Sequence, residues 1–253
     1  MKKMSLRAIL AALVLGCAVP AMAAEGSAPP AQKWSFDGPF GTFDRAALQR
    51  GYQIYKEVCS ACHSMKYVAF RNLTEIGFSE AEAKALAAGY QVTDGPNDDG
   101  EMFQRPATLA DKFPSPFPND KAARAANGGA LPPDLSLVAK ARAHGPDYIY
   151  SVLTGYKEAP AGFQVPEGLH YNEGFPGHKI AMPQPLTADQ VTYSDGTKAT
   201  LEQEAHDVTT FLMWTAEPKL EERKRMGLKV MIFLVILTGL FFAAKKRIWR
   251  DVH

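Results

Sequence analysis

Cysteine is scarce in this chain: there are three in 253 residues and none beyond position 62. Cys17 sits in an apolar N-terminal run, so a processed chain would hold only Cys59 and Cys62, too few for a disulfide framework. A structural zinc site needs four ligands, usually from a second Cys-x-x-Cys or a histidine pair, and no second cysteine pair exists. An excess of one charge is also missing. The formal net charge of the whole chain is +1, but its basic residues cluster at the two ends, and the acidic region between them would repel nucleic acid, which is excluded as a partner. No internal repeat is present either.

What is present is concentrated in five residues. Cys59-Ser60-Ala61-Cys62-His63 has the CxxCH spacing at which two thiols bond covalently to one haem while the following histidine ligates its iron. Cysteines three positions apart on a helical turn face the same side and can reach one porphyrin edge. A thioredoxin-like pair would follow a strand and open a helix. Here Leu48, Tyr52, Tyr55, Val58 and Cys62 recur at helical spacing after a cap near Thr42 or Asp44, predicting an amphipathic helix that runs into the motif. One covalently attached haem c is therefore expected.

The two ends point to export and anchoring. Lys2, Lys3 and Arg7 precede an apolar run from Ala8 to Val19 and the small-x-small site Ala21-Met22-Ala23, so residues 1–23 read as a signal peptide. Val14-Leu15-Gly16-Cys17 loosely resembles a lipoprotein site, which leaves acylation as the alternative. Met226 to Ala244 is an apolar run of 19 residues, which as a helix spans about 28 Å and matches a bilayer's hydrocarbon core. Its one charge, Lys229, lies near an end where it can snorkel. Lys245, Lys246, Arg247 and Arg250 follow, with Trp249 among them, so the tail from 248 to 253 is expected in the cytoplasm of a bacterium and the region before the span in its periplasm. Arg223, Lys224 and Arg225 precede the span and weaken that asymmetry; the signal settles the orientation.

Residues 24–218 then form the exported haem domain, followed by a juxtamembrane and membrane-spanning segment over 219–247. The domain carries 16 Lys plus Arg against 24 Asp plus Glu, a net −8 hidden by the basic ends. Such a surface attracts a basic soluble partner. Asp94, Asp98, Asp99 and Glu101 are the densest acidic cluster, either a docking patch or a solvated loop.

Local signals predict a mainly α fold of cytochrome c type with a short β-hairpin and irregular loops. Ser79 and Glu82 form a capping box for a helix ending at Gly89, and Pro146 opens another through Ile149, Val152 and Leu153 to Gly155. Asp195-Gly196, between short alternating stretches of Val191–Thr200, predicts the hairpin. Thr200 and Gln203 cap a helix with the face Leu201, Ala205, Val208, Leu212 and Thr215, ended before Pro218.

The iron's second axial ligand decides between chemistry and electron transfer, because methionine opposite histidine raises the potential. Met65 is too close to His63 to reach the other haem face, Met226 and Met231 belong to the anchor, and Met213 reads as helix packing. Met182 lies in Ile180-Ala181-Met182-Pro183-Gln184-Pro185-Leu186, where two prolines impose an extended loop able to direct a side chain at iron. His178 is the competing ligand and Met102 a distant third.

The strings RGYQIYKEVCSACHSM from Arg50, DGPNDDGEMFQRP from Asp94, AARAANGGALPPDLSLVAKAR from Ala122, IAMPQPL from Ile180 and FLMWTAEPKLEERKRMGLK from Phe211 resemble the cytochrome c1 family. These are the haem subunits of quinol:cytochrome c oxidoreductase, the cytochrome bc1 complex. The resemblance covers most of the chain past the signal. It implies His63 and Met182 as axial ligands, Arg142 beside a haem propionate, and Tyr148 and the Asn127–Pro133 loop near the porphyrin. It also implies cytochrome b, a Rieske iron-sulfur protein and a soluble c-type cytochrome as partners. The chain would then be enzymatic only as the electron-transfer haem subunit, with no bond chemistry of its own. Some bacterial relatives carry an extra cysteine pair before the Met ligand, which this chain lacks. Two rivals remain: a haem enzyme such as a peroxidase, and an anchored cytochrome serving an oxidase or photosynthetic centre.

Overall fold

The computed structural model describes residues 28–251. The expected signal peptide, with Cys17, lies outside the described residues, as do the last two residues of the tail. The elements in chain order are α1 (Arg45–Glu57), α2 (Glu80–Ala88), β1 (Gln91–Asp94), β2 (Phe103–Pro106), α3 (Asp120–Ala126), α4 (Val138–Ala141), α5 (Gly145–Thr154), β3 (His170–Tyr171), β4 (Lys179–Ile180), α6 (Leu201–Ala216) and α7 (Leu220–Ile248). Short 3-10 turns occupy Cys59–Ala61, Phe70–Ile76 and Pro176–His178. The fold is thus mainly helical, with β1–β2 and β3–β4 as two small antiparallel pairs and long irregular loops.

Side-chain caps start the principal helices. The Asp44 carboxylate accepts from the N–H groups of Ala46 and Ala47 to open α1. Ser79 and Glu82 close a reciprocal capping box on α2. The Thr200 hydroxyl accepts from Gln203 N–H at the start of α6. Gln203's own side chain does not reach back; it donates to Asp207 at 3.0 Å instead.

The core forms where α1 and α6 cross. Gly51 permits the contact: a Cβ there would lie 2.1 Å from the carbonyl oxygen of Asp207. Tyr52 and Tyr55 then bracket Phe211, each with ring centroids 5.9 Å from it, and Phe113 closes against both tyrosines. Leu48, Ile54, Leu73, Ile76 and Val208 are buried around them. Burying each such aliphatic side chain contributes about 1.5–3 kcal/mol. The N-terminal strap is pinned over this layer by Trp34, which stacks on His206 and donates its indole N–H to Asp147 at 2.8 Å.

Two local expectations need correction. Val191–Thr200 forms no hairpin. Asp195-Gly196 does turn, with Gly196 at φ +76° and Thr197 N–H donating to Asp195, but the flanks do not pair. Thr192 C=O is taken by the Gln53 side chain and Val191 N–H by the Glu204 carboxylate, so helix side chains hold the groups a ladder would need. The hairpin strands are β1 and β2, flanking the acidic loop. Likewise α1 stops at Glu57 rather than running through Cys62, and the cysteines ride on a separate, tighter turn.

At the far end Glu217–Lys219 breaks the chain between α6 and α7. The first turns of α7 dock on the domain: Leu220 is buried, Glu221 accepts from Phe43 N–H and Arg45, and Lys224 donates to the carbonyls of Phe36 and Gly41. Beyond Met226 the helix exposes Phe233, Val235, Phe241 and Phe242. Its 29 residues make it long and apolar enough to cross a membrane.

Candidate functional site

Helix α1 delivers the CxxCH motif to one edge of the core. Cys59 and Cys62 are not disulfide-bonded; Cys59 is half-buried and Cys62 exposed. Burial, and secondarily the neighbouring Cys62, pushes the Cys59 thiol up to about 12. His63 N–H donates to the Cys59 carbonyl at 2.9 Å, which coils the five residues into one turn.

The His63 ring is held by a loop 70 residues further along the chain. Its Nδ1 lies 2.8 Å from the Pro133 carbonyl. With Nδ1–H donating there, Nε2 carries the free lone pair, the arrangement that fixes ring orientation and tautomer in metal-ligating histidines. Burial lowers the His63 pKa, opposed by the Pro133 hydrogen bond and the nearby Asp134, and so favours the neutral ligand form.

The loop carrying Pro133 is tied to the residues after the motif. Asp134 accepts from Ser64 Oγ at 2.8 Å, Lys66 N–H at 2.9 Å and Ser136 N–H at 2.9 Å. Leu135 N–H donates to Ser64 C=O, and Tyr67 N–H to the buried Ser136 hydroxyl. Burial alone would raise the Asp134 pKa, but these donors outweigh it and hold the carboxyl below its usual range.

Met182 is half-buried at a bend between two buried anchors, Ile180 and Leu186, the extended loop expected there beginning only at Pro183. The Tyr156 hydroxyl donates to its carbonyl at 2.9 Å and Gln184 folds back onto Leu186 C=O, so the proline loop is fixed by its own backbone. His178 is a turn residue at φ +59° whose Nδ1 faces the Asn172 carbonyl and whose ring packs on Tyr171. Met102 stands exposed in the β1–β2 loop, Met65 is fully buried, and Met213 packs against the core.

Arg142 and Tyr148 share a cavity of about 330 Å³ with His144 and the Glu173–His178 turn. Asn127 is not on that cavity; it ends α3, donating its side-chain amide to Ala123 C=O at 2.7 Å. The structure thus joins Pro133 to His63 and Arg142 to Tyr148, but gives Asn127 a capping role. Asp134, Ser64, Ser136 and Tyr156 were not singled out from sequence. Asp134 had a signal, an Asx turn two residues before Ser136; Tyr156 had none.

Two thiols beside an imidazole with a free Nε2 fit a covalently held haem. Among the described residues no group of three His, Cys, Asp or Glu side chains is placed to hold a bare metal ion. In comparisons with known proteins, the Cytochrome C1 family matches residues 34–252. The chain belongs to the cytochrome c1 family. It is 52% identical to cytochrome c1 of Rhodospirillum rubrum over 97% of both chains. It is 50% identical to a mitochondrial cytochrome c1 heme protein of Arabidopsis thaliana, over 89% of this chain and 73% of that one. Cytochrome b/c1 of Bradyrhizobium diazoefficiens is 55% identical over 96% of this chain, which spans only 39% of that longer relative.

Proposed function

We propose that this chain is a membrane-anchored c-type cytochrome that takes single electrons from a Rieske iron-sulfur protein and passes them to a soluble c-type cytochrome within a cytochrome bc1 complex. Family membership supports the haem-carrying electron-transfer role. In this reading Cys59 and Cys62 hold one haem by thioether bonds, and His63 and Met182 are its axial ligands. Arg142 neutralises a propionate, Tyr148 lies near the porphyrin, and Asn127 and Pro133 shape the loop beside it. Residues 1–23 direct export, 24–218 form the periplasmic domain, 219–247 anchor it in a bacterial inner membrane beside cytochrome b, and 248–253 lie in the cytoplasm.

The observation that carries the reading is the His63–Pro133 hydrogen bond, which leaves Nε2 free and fastens the ring to a loop tied by Asp134. When bound, haem supplies a one-electron centre that needs no bond to form or break. The protein's part is to hold the imidazole neutral and oriented, to keep the methionine loop from swinging, and to fix the domain on its anchor. The extra cysteine pair of some bacterial relatives being absent, the Tyr156 bond to Met182 C=O does that restraining by packing and hydrogen bonding.

A visible spectrum of the reduced protein, with haem staining after denaturing electrophoresis, tests covalent attachment. Met182→Leu should lower the reduction potential markedly and abolish carrier function. Retained or improved turnover of a peroxide substrate by that variant would indicate a haem enzyme instead. Co-purification with an oxidase rather than with cytochrome b and a Rieske protein would place the chain in another assembly.

A further inference from the structure

We propose that Phe40 is a second membrane contact, inserting its ring into the lipid interface beside the root of α7 while Arg223 and Arg225 face the lipid phosphates. The inference rests on reading α7 as a membrane span. Phe40 is 76% exposed, and among the described residues no large apolar side chain is more so. It stands at the tip of the Asp37–Gly41 turn, whose base is rigid. Phe36 and Phe43 are buried and packed together, Thr42 N–H donates to Ser35 C=O, and Asp37 N–H to Trp34 C=O.

The turn is held at a defined level by α7 itself. Lys224 Nζ donates to the carbonyls of Phe36 and Gly41, which bracket Phe40. Lys224 lies two residues, about 3 Å along the axis, before Met226, where the exposed apolar surface of the helix begins. The interfacial layer on each side of a bilayer is roughly 5–7 Å deep. The turn that displays the ring is therefore tied to the helix just before its exposed apolar stretch, next to the interfacial layer of the span. Aromatic rings favour that layer, and cations there favour phosphate. Arg223 and Arg225 have side chains 62% and 72% exposed; each also reaches a carboxylate, Glu217 and Glu221 respectively. Lipid is favoured over a protein partner because the turn is tied to α7 just before its exposed apolar stretch, and Arg223 and Arg225 on either side of Lys224 supply the charges that phosphate favours.

The test uses the haem-loaded full chain in phospholipid nanodiscs, with a nitroxide on one introduced cysteine at a time: Phe40→Cys, Val235→Cys within the span, and Met102→Cys in the exposed β1–β2 loop. Collision with oxygen, which concentrates in lipid, is compared with collision with a water-soluble nickel chelate. The ratio of oxygen to nickel collisions at position 40 should exceed that at 102 several-fold and fall below that at 235. Equal ratios at 40 and 102, with 235 in lipid, would overturn the Phe40 contact and leave the anchor standing. A water-like ratio at 235 would remove the anchor and the proposal together. Shielding of position 40 from both reagents would show it buried against protein and would also overturn the lipid contact.

Discussion

The guanidinium of Arg50 on α1 meets the carboxylate of Asp207 on α6 through two parallel hydrogen bonds, 2.7 Å from Nε and 3.0 Å from Nη2. The Asp207 side chain is fully buried and that of Arg50 only 14% exposed, while Asp195 takes the remaining Nη1 at 2.8 Å. The Asp207 hydrogen bond, with the charge of both carboxylates, holds the guanidinium pKa well above its ordinary value despite burial. The fork thus locks α1, which delivers the CxxCH motif, against α6.

Removing one partner of such a pair strands the other charge in the interior, which typically costs 3–5 kcal/mol. Arg50→Leu should destabilise the haem-loaded protein by about that amount, measured by urea unfolding. Asp207→Asn, which keeps hydrogen-bonding capacity, should cost less. The double variant Arg50→Leu/Asp207→Leu should recover part of the loss of Arg50→Leu alone, because no unpaired charge remains.

Gly51→Ala tests the crossing itself. A methyl group 2.1 Å from the Asp207 carbonyl oxygen forces the helices apart, at a cost of about 1–3 kcal/mol or more. Gly227→Ala, on α7 with nothing within 4 Å, should leave stability unchanged or slightly raised. Equal effects at the two positions, read by thermal melts, would show that α1 and α6 are not in close backbone contact.

The parts of this structure legible in the sequence are those decided within a few residues. The Asp44, Ser79–Glu82 and Thr200 caps and the apolar face of α6 each follow from neighbours along the chain. What was not legible depends on groups brought from afar. Asp195-Gly196 has the chemistry of a hairpin turn, yet Gln53 and Glu204 claim the flanking backbone. Asp94 belongs by sequence to an acidic cluster, yet it is ion-paired with Arg105 across the β1–β2 pair. Pro133 could be placed near the haem only by resemblance, because a backbone carbonyl carries no sequence signature of its partner.

That ion pair narrows the proposed docking surface. Asp98, Asp99 and Glu101 remain exposed at the loop, whose turn is held by Asn97 accepting from the N–H groups of Asp99 and Glu101. Converting Asp98, Asp99 and Glu101 to the neutral amides should slow electron delivery to a basic soluble cytochrome at low ionic strength and matter little at high salt. Asp94→Asn should have a smaller effect on that rate. Equal rates for the triple variant and the parent at both ionic strengths would remove the loop from the docking surface.

Asp111, at the same corner, is held in its ionised form by its neighbours. The Arg105 guanidinium bonds it at 2.7 and 3.0 Å, and Thr108 adds its N–H and hydroxyl, holding the carboxyl well below the usual carboxylate range. A depressed folded-state pKa contributes stability that is present above the unfolded value, about 3.9, and is lost as pH falls through the folded one. In a carboxyl 13C titration of the reduced protein, Asp111 should therefore stay ionised well below pH ~3.9. Arg105→Gln should move its midpoint back toward that value.

Asp134 ties the residues after the CxxCH motif to the loop that carries Pro133, and in the proposed function its removal should separate haem attachment from ligation. Asp134→Ala leaves three donors without their acceptor, Ser64 Oγ and the N–H groups of Lys66 and Ser136. Leaving a buried donor unpaired costs about 1–3 kcal/mol, and the loop presenting the Pro133 carbonyl to His63 loses its tether. Haem staining after denaturing electrophoresis should be unchanged, because Cys59 and Cys62 are untouched. Stability should fall by about 1–3 kcal/mol, and the iron should become easier for added imidazole to ligate, because His63 is no longer held in one orientation. Asp134→Asn, which keeps an acceptor oxygen, should lie between the two. If Asp134→Ala matched the parent in imidazole affinity and in stability, the Pro133 carbonyl would orient His63 without help from this carboxylate.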